Sequence, residues 1–342
     1  MYKSTLLAIV LFAVQIFPQI KITAVGDVIP GSRTPKEVLP PDSGKVFNKL
    51  LGDRLQGSGI VFGNFEGTFI KDDMAPCKCS DSLRALGMCY EFGVPAYLLT
   101  PLKKLGFSVL NMENNHSRDY GAAGFNFTAS LLRHNGIQPV IAGKPAVVVR
   151  GRDTICIIGF SQTSSSQNVN NIAKAKNLVK ELAGKYAHVI VSFHGGAEGE
   201  DAKHLPVGGE KFLEEDRGDL RAFAHAVIDA GAQVVLGHGP HVLRAMELYK
   251  NHLIAYSLGN FLTYGNFSLK GSAHISCILN VSISDSTGEF LSGNIIPVVQ
   301  EGRGLPREDT KKRSITLLNQ LMHDDMHPNL LLIDEDGAIK RR

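Results

Sequence analysis

The sequence predicts a layered α/β protein, and three features lead there. Short apolar runs of strand character alternate with stretches of helical spacing from residue 22 to about residue 240. Beyond that point the pattern becomes mainly strands. The chain has 342 residues, 44% hydrophobic and 20% charged, enough to bury a large core in one or two domains.

The first strand is expected at 22–25, an apolar run that ends at Gly26-Asp27. Helical spacing follows near 45–55. Residues 59–62 read as a short strand ending at Gly63-Asn64, and 101–105 as a short helix. A strand at 107–110 ends at Asn111, and a helix over 125–134 stops at Gly136. Strands at 147–150 and 155–160 are joined by a turn at 151–153. A helix at 172–183 precedes a strand at 188–193 that ends at His194. A helix at 220–230, closed by Gly231, precedes a strand at 234–236 that ends at Gly237-His238. The later strands, at 245–249, 252–257, 274–283 and 293–299, read as antiparallel with turns such as 284–288. They predict a second, mostly antiparallel sheet packed on the first. Residues 195–218 are charged and glycine-rich and read as a long surface loop, a common form of functional lid. No internal repeat or linker divides the chain.

At the N-terminus Lys3 precedes an apolar run, 6–17, broken only by Gln15. That is the layout of a signal peptide or an uncleaved membrane anchor, and short for a full span. Residues 1–18 are assigned to it, 19–305 to the main domain and 306–342 to a helical, charged tail. Export would place the protein in the periplasm, outside the cell or on the outer face of the membrane. It would also permit a bridge from Cys89 to Cys77 or Cys79 within 74–95; a zinc knuckle there lacks a fourth ligand. Cys156 and Cys277 lie in apolar runs and read as inert core residues. A net charge of +3 gives no support to a nucleic-acid partner, and the basic clusters at 311–313 and 340–342 read as solvated.

The chemistry-bearing residues share one kind of position, the C-terminal end of an apolar strand. Asp27, Asn64 with Glu66, Asn115 with His116, His194, and His238 with His241 all follow such runs. Ligands of α/β sheets bind outside those ends, so these loops should converge. Imidazole, carboxylate and amide oxygen together form an N/O donor set for Mn, Fe or Zn, one ion or two. Gly237-His238-Gly239-Pro240-His241 is the strongest single signal, since two histidines around Gly-Pro suit ligation better than packing. Gly26, Gly63 and Gly237 are expected to permit tight turns beside the ligands.

Taken in order, these pieces resemble the poly-γ-glutamate capsule-synthesis (CapA-type) family of the calcineurin-like metallophosphoesterase superfamily. The resemblance rests on Gly26-Asp27-Val28-Ile29-Pro30-Gly31, Gly63-Asn64-Phe65-Glu66-Gly67 and the stretch from Asn111 through Asn114-Asn115-His116 to Asp119 and Gly121. Ser192-Phe193-His194-Gly195-Gly196 with Glu198, and the stretch 231–261, complete it. It implies an α/β/β/α sandwich of two packed mixed sheets flanked by helices. It implies Asp27 and His241 on a first metal, Asn115, His194 and His238 on a second, and Glu66 or Asn64 bridging. His116, in the same stretch as Asn115 and Asp119, would stabilise the transition state or protonate a leaving group. Ile29 stands where the superfamily has the histidine of Asp-x-His, and Asn64 where it has an aspartate, so the first metal site is expected to be reduced. The functions implied are a hydrolase, directed at a phosphoester or amide bond, that acts on an envelope polymer such as poly-γ-glutamate or its precursor, or a non-catalytic assembly or export factor for an anionic surface polymer, with a membrane-bound polymer-synthesis complex as partner. Simple binding of an anionic polymer ranks behind both.

Overall fold

The computed structural model describes residues 19–57, 59–151, 153–265 and 267–342. Two mixed sheets form its centre. The larger has ten strands; its main path runs Leu331–Ile333, Ala338–Arg341, Phe290–Glu301, Ile275–Ser284, Gln19–Ile29, Ile60–Phe65, Val109–Asn111, Gln138–Val140. Asn260–Thr263 pairs alongside Gln19–Ile29, and Leu305–Glu308 alongside Phe290–Glu301. The smaller sheet has six strands in the order Met246–Tyr249, His252–Ala255, Val234–His238, His188–His194, Asp153–Ser161, Ala146–Arg150.

The period of two along the strands sorts their side chains between layers. Ile22, Ala24, Ile60 and Phe62 join the core that runs on through the second sheet. Val25, Val28 and Val61 face the helices Lys45–Leu51, Leu99–Leu105 and Gly121–His134, against Phe47, Leu51, Leu102 and Leu132. On the far side, helices Ile172–Ala183 and Leu220–Asp229 cover the second sheet with Val179, Leu182, Phe223 and Val227. Strands buried on both faces have no polar alternation, which is why Val234–His238 and His188–His194 read as continuous apolar runs.

The later strands do not make a sheet of their own. Ile275–Ser284 pairs antiparallel with the first strand, Ala24 opposite Leu279. His252–Ala255 instead pairs parallel with Val234–His238, Val235 opposite Ile254. Each sheet therefore mixes early and late strands, because pairing is decided by burial on both faces and not by order in the chain. The segment 306–342 also belongs to the main body: helix Arg313–Asp325 buries Ile315, Leu318, Leu321 and Met322, and Ala338–Arg341 extends the larger sheet.

Residues 195–218 are anchored underneath. Their hairpin, Glu210–Phe212 with Glu215–Gly218, is held by Arg244, whose guanidinium is fully buried and grips both oxygens of Glu210 at 2.8 and 2.7 Å. Cys79 pairs with Cys89, while Cys77 is free and exposed. Cys156 and Cys277 are buried, and burial pushes both thiols up to about 12. The expected signal peptide or anchor, 1–18, lies outside the described residues, among which no helix is long and apolar enough to cross a membrane.

Candidate metal centre

Register brings the candidate residues together before any side chain is considered. In the larger sheet Asp27 lies opposite both Asn64 and Asn260, and Asn64 lies opposite Asn111. In the smaller sheet His194 lies opposite both Ser161 and His238. All these pairings are parallel, so both rows sit at carboxyl ends of strands. The ladder of the first strand is irregular around Asp27, and such a break re-aims a side chain beside a site.

Two carboxylates form the middle of the cluster. Asp27 Oδ2 is 2.9 Å from His241 Nδ1, and its Oδ1 is 3.4 Å from His238 Nδ1. Glu66 Oε1 is 3.1 Å from His194 Nε2 and 3.7 Å from His241 Nε2. Asp27, Glu66 and His241 each offer a ligand atom, and these atoms lie within 4.8 Å of one another. Asp27, Glu66, His194 and His238 are fully buried. His241 adopts φ 60°, a left-handed conformation that non-glycine residues enter uncommonly.

Burial and mutual contacts shift the titration of the groups in this cluster strongly. Burial alone would raise the Asp27 carboxyl, but His238 and His241 outweigh it and hold it well below the usual range. Burial drives Glu66 well above its ordinary value, with Asp27 and Glu198 adding to the rise and His241 opposing it. For His241 burial works downward, yet the carboxylates of Glu66 and Asp27 push it up to about 10. His194 is held well below its ordinary value, first by burial and then by Arg217, which keeps the imidazole in its ligand form.

Several donor atoms are left without partners. Both ring nitrogens of His238, Glu66 Oε2 and Asn115 Oδ1 are buried without a hydrogen-bond partner of normal geometry among the described residues, His238 Nδ1 having only its 3.4 Å approach to Asp27 Oδ1. Unpaired buried polar atoms are costly, so four beside one cluster mark a place prepared for a ligand. The set of imidazole and carboxylate suits a divalent first-row metal.

Asn64, expected as a ligand or bridge, is placed differently. Its amide donates to Asp27 Oδ1 at 2.8 Å, and its oxygen accepts from Asn111 and Asn114 at 2.9 and 3.0 Å. With both ends engaged, Asn64 orients Asp27 and leaves no lone pair for a metal. Ile29 is buried in the helix-side core, so its position does not face the cluster. The glycines also act differently from the tight-turn expectation. Gly26 and Gly237 do not have positive φ; a Cβ on Gly26 would lie 1.9 Å from the Gly259 carbonyl, and one on Gly237 2.3 Å from that of Tyr256. Close approach of neighbouring backbone, not turn geometry, demands them.

His116 stands beside the cluster as part of a relay. Its Nδ1 is 2.8 Å from Asp119 Oδ2, which also accepts from Phe92 N–H at 2.7 Å, and Lys78 Nζ lies 3.1 Å from Asp119 Oδ1. Burial lowers the imidazole against the opposing pull of Asp119. Asn115, His116, Glu198 and Arg217 share one cavity of about 180 Å³.

Three contributors were not singled out from sequence as site residues. Arg217, almost fully buried, binds Glu198 at 2.6 Å, and Glu198 in turn lies 3.9 Å from His241 Nε2. Gln162 links His194 to Arg217 when its amide group faces His194 O and Nδ1. Glu198 was visible in the His194-Gly195-Gly196 motif; Arg217 and Gln162 carry no local sequence signal.

The family model described as bacterial capsule synthesis protein PGA_cap matches residues 21–264. The chain belongs to that family. It is 30% identical over 314 residues to the capsule biosynthesis protein CapA of Bacillus anthracis, covering 84% of this chain and 69% of the relative. It is 26% identical over 336 residues to the PGA biosynthesis protein CapA of Bacillus subtilis, covering 92% and 80%. Among solved structures, a phosphatase from Mycoplasma pneumoniae superposes with a TM-score of 0.50 at 13% identity, covering 87% of this chain and 98% of that one. This capsule-synthesis family member thus shares the fold of that phosphatase, with the cluster described above at the carboxyl ends of its strands.

Proposed function

We propose that the protein is a metal-dependent hydrolase, directed at a phosphoester or amide bond, that acts outside the cytoplasm in the synthesis of a capsule or envelope polymer. The observation that carries this reading is the set of buried, unpartnered donor atoms on His238, Glu66 and Asn115 around the Asp27–Glu66–His241 cluster. Asp27, Glu66, His194, His238 and His241 would hold one or two ions of Mn, Fe or Zn, with Asn115 completing the set. When bound, the metal would polarise the substrate oxygen and make water a competent nucleophile at neutral pH.

The chain's own groups would do the rest. Asn64 holds Asp27 in place through its amide. Asp119 fixes the His116 ring through Nδ1, which leaves Nε2 as the nitrogen that can move a proton at the reacting group. Lys78 steadies Asp119 from the other side. Arg217 anchors Glu198 at the edge of the cavity. The capsule pathway and the extracytoplasmic site are supported by the named roles of the CapA relatives and by the apolar N-terminal run.

A second reading, a non-catalytic assembly factor, is favoured by Ile29, which lies in the helix-side core and adds no donor to the cluster, and by the apolar N-terminal run. Elemental analysis separates the two. The purified chain should carry about one or two equivalents of metal, and His238→Ala should lose most of it; hydrolysis of aryl phosphoesters or aryl amides should then depend on His116. A chain that takes up no metal on reconstitution with Mn would overturn the hydrolase reading.

A further inference from the structure

The Cys79–Cys89 bridge closes a loop in which no residue between the two cysteines is buried. The loop's helix, Asp81–Ala85, has five residues, too few to be stable alone. Leu86 and Met88 are largely exposed. A bridge that secured a piece of core would have buried apolar side chains on its loop. This loop has none, so the consequence of the bridge lies at its base.

Two chain segments meet at that base, and both grip Asp119. From the first, Cys77 N–H donates to the Asp119 carbonyl at 2.9 Å. Lys78 Nζ lies 3.1 Å from Asp119 Oδ1 and donates to the Asn115 carbonyl at 2.9 Å. From the second, Phe92 N–H donates to Asp119 Oδ2 at 2.7 Å, and the Phe92 ring packs on that of His116 with centroids 4.6 Å apart. The same Oδ2 is 2.8 Å from His116 Nδ1. The segments are tied to each other twice, by the bridge and by Glu91. Glu91 Oε1 accepts from Lys78 N–H and Cys79 N–H, and its Oε2 accepts from Arg84. Arg84 belongs to the loop, so opening the bridge loosens the second tie as well. Cys89 itself lines the cavity that holds His116.

We propose that the Cys79–Cys89 bridge is a redox-sensitive positioning element for His116, with Lys78 and Phe92 as its two points of contact. With the bridge closed, both Asp119 oxygens are engaged, and the His116 ring is fixed with Nδ1 toward Asp119. With it open, Lys78 leaves Asp119 and the ring loses its single tautomer. The Asp27–Glu66–His241 cluster receives no hydrogen bond or ion pair from residues 77–92 among the described residues, so it keeps its geometry. Opening is a reduction: a dithiol supplies two electrons and two protons, becomes a disulfide itself and leaves Cys79 and Cys89 as thiols. Disulfides persist in oxidising compartments and not in reducing ones, so the relay is complete only where the chain stands in an oxidising one.

The inference rests on the hydrolase reading for its kinetic consequence, and two readouts on one preparation distinguish their failures. The full chain, a double variant carrying Cys79→Ser and Cys89→Ser, and Lys78→Met are made with isotopically labelled histidine, loaded with Zn and analysed for metal. Both cysteines are replaced together so that no lone thiol is left to pair with the free, exposed Cys77. In the nitrogen spectrum of the parent, the signal that disappears in His116→Gln should show the Nδ1–H tautomer. In both test variants it should change to a mixed pattern, with metal content unchanged. Turnover should divide by leaving group. Phenyl phosphate, whose leaving group needs a proton, should be hydrolysed about 10- to 100-fold more slowly by both variants, and para-nitrophenyl phosphate, whose leaving group departs as an anion, less than about threefold more slowly. Dithiol treatment of the parent should reproduce both changes, and reoxidation should reverse them. A single tautomer retained in the double variant overturns the inference, and so does an equal loss on the two esters. A parent without metal or turnover would instead count against the hydrolase reading, and the tautomer pattern would still decide the positioning role. Lys78→Met keeps the bridge, so it carries the test if the double variant does not fold.

Discussion

Asp119 shows how much a site depends on groups that need never touch a ligand. One of its oxygens accepts from Phe92 N–H and faces His116 Nδ1, and the other faces Lys78. Asp119→Asn keeps the shape but can present an N–H to the ring, which selects the wrong tautomer. Its expected effect is a loss of turnover of about 10²-fold or more with metal content unchanged, read by kinetics and elemental analysis on one preparation. His188, remote from the cluster, gives a separate test at this scale. It is buried, and burial lowers its imidazole below the ordinary value of 6.5. A folded-state value below the unfolded one means that the unfolded chain binds the extra proton first. Stability is then fully present above about 6.5 and falls as the pH drops through that value. Between pH 8 and pH 5 the denaturation midpoint should fall further in the parent than in His188→Gln. The residue types of the cluster were legible in the sequence because metal-ligating side chains placed after apolar strands are poor packing choices. The hydrogen bonds that Asn64 accepts from Asn111 and Asn114 were not legible, because sequence spacing does not orient those side chains.

At the scale of elements, the segment 195–218 has the largest gap between composition and structure. Its glycines and charges read as a surface loop, yet Arg244 and Glu210 pin it from below through a buried two-point ion pair. Removing one member leaves an uncompensated buried charge. Glu210→Ala should cost about 3–5 kcal/mol in chemical denaturation, and the hairpin carrying Phe212 should become sensitive to protease. The disulfide illustrates a narrower kind of ambiguity. Sequence left Cys77 and Cys79 as equal partners for Cys89, and the structure selects Cys79. Cys79 N–H and Lys78 N–H both donate to Glu91 Oε1, so that turn is held where the bridge forms.

Across the whole molecule, the last residues complete the core. Ile315, Leu318, Leu321, Met322, Leu331 and Ile339 are buried in it, and Ala338–Arg341 pairs with Phe290–Glu301. A chain ending at residue 305 would expose that apolar surface and a long strand edge. It should be recovered as aggregate or as a species without a cooperative thermal transition, whereas a removable tail would leave the transition intact.

The sequence alone determined the class of fold, the positions of most strands and helices, and the residue types gathered in the cluster. Periodicity and side-chain chemistry are local properties, and they survive in a linear string. Only the tertiary structure decided which strands pair, that both sheets mix early and late segments, and that Arg217 and Gln162 reach His194. Those outcomes depend on contacts between residues far apart in the chain, such as Asp27 with His241 and Glu66 with His194, whose free energy exists only once the two sheets have packed.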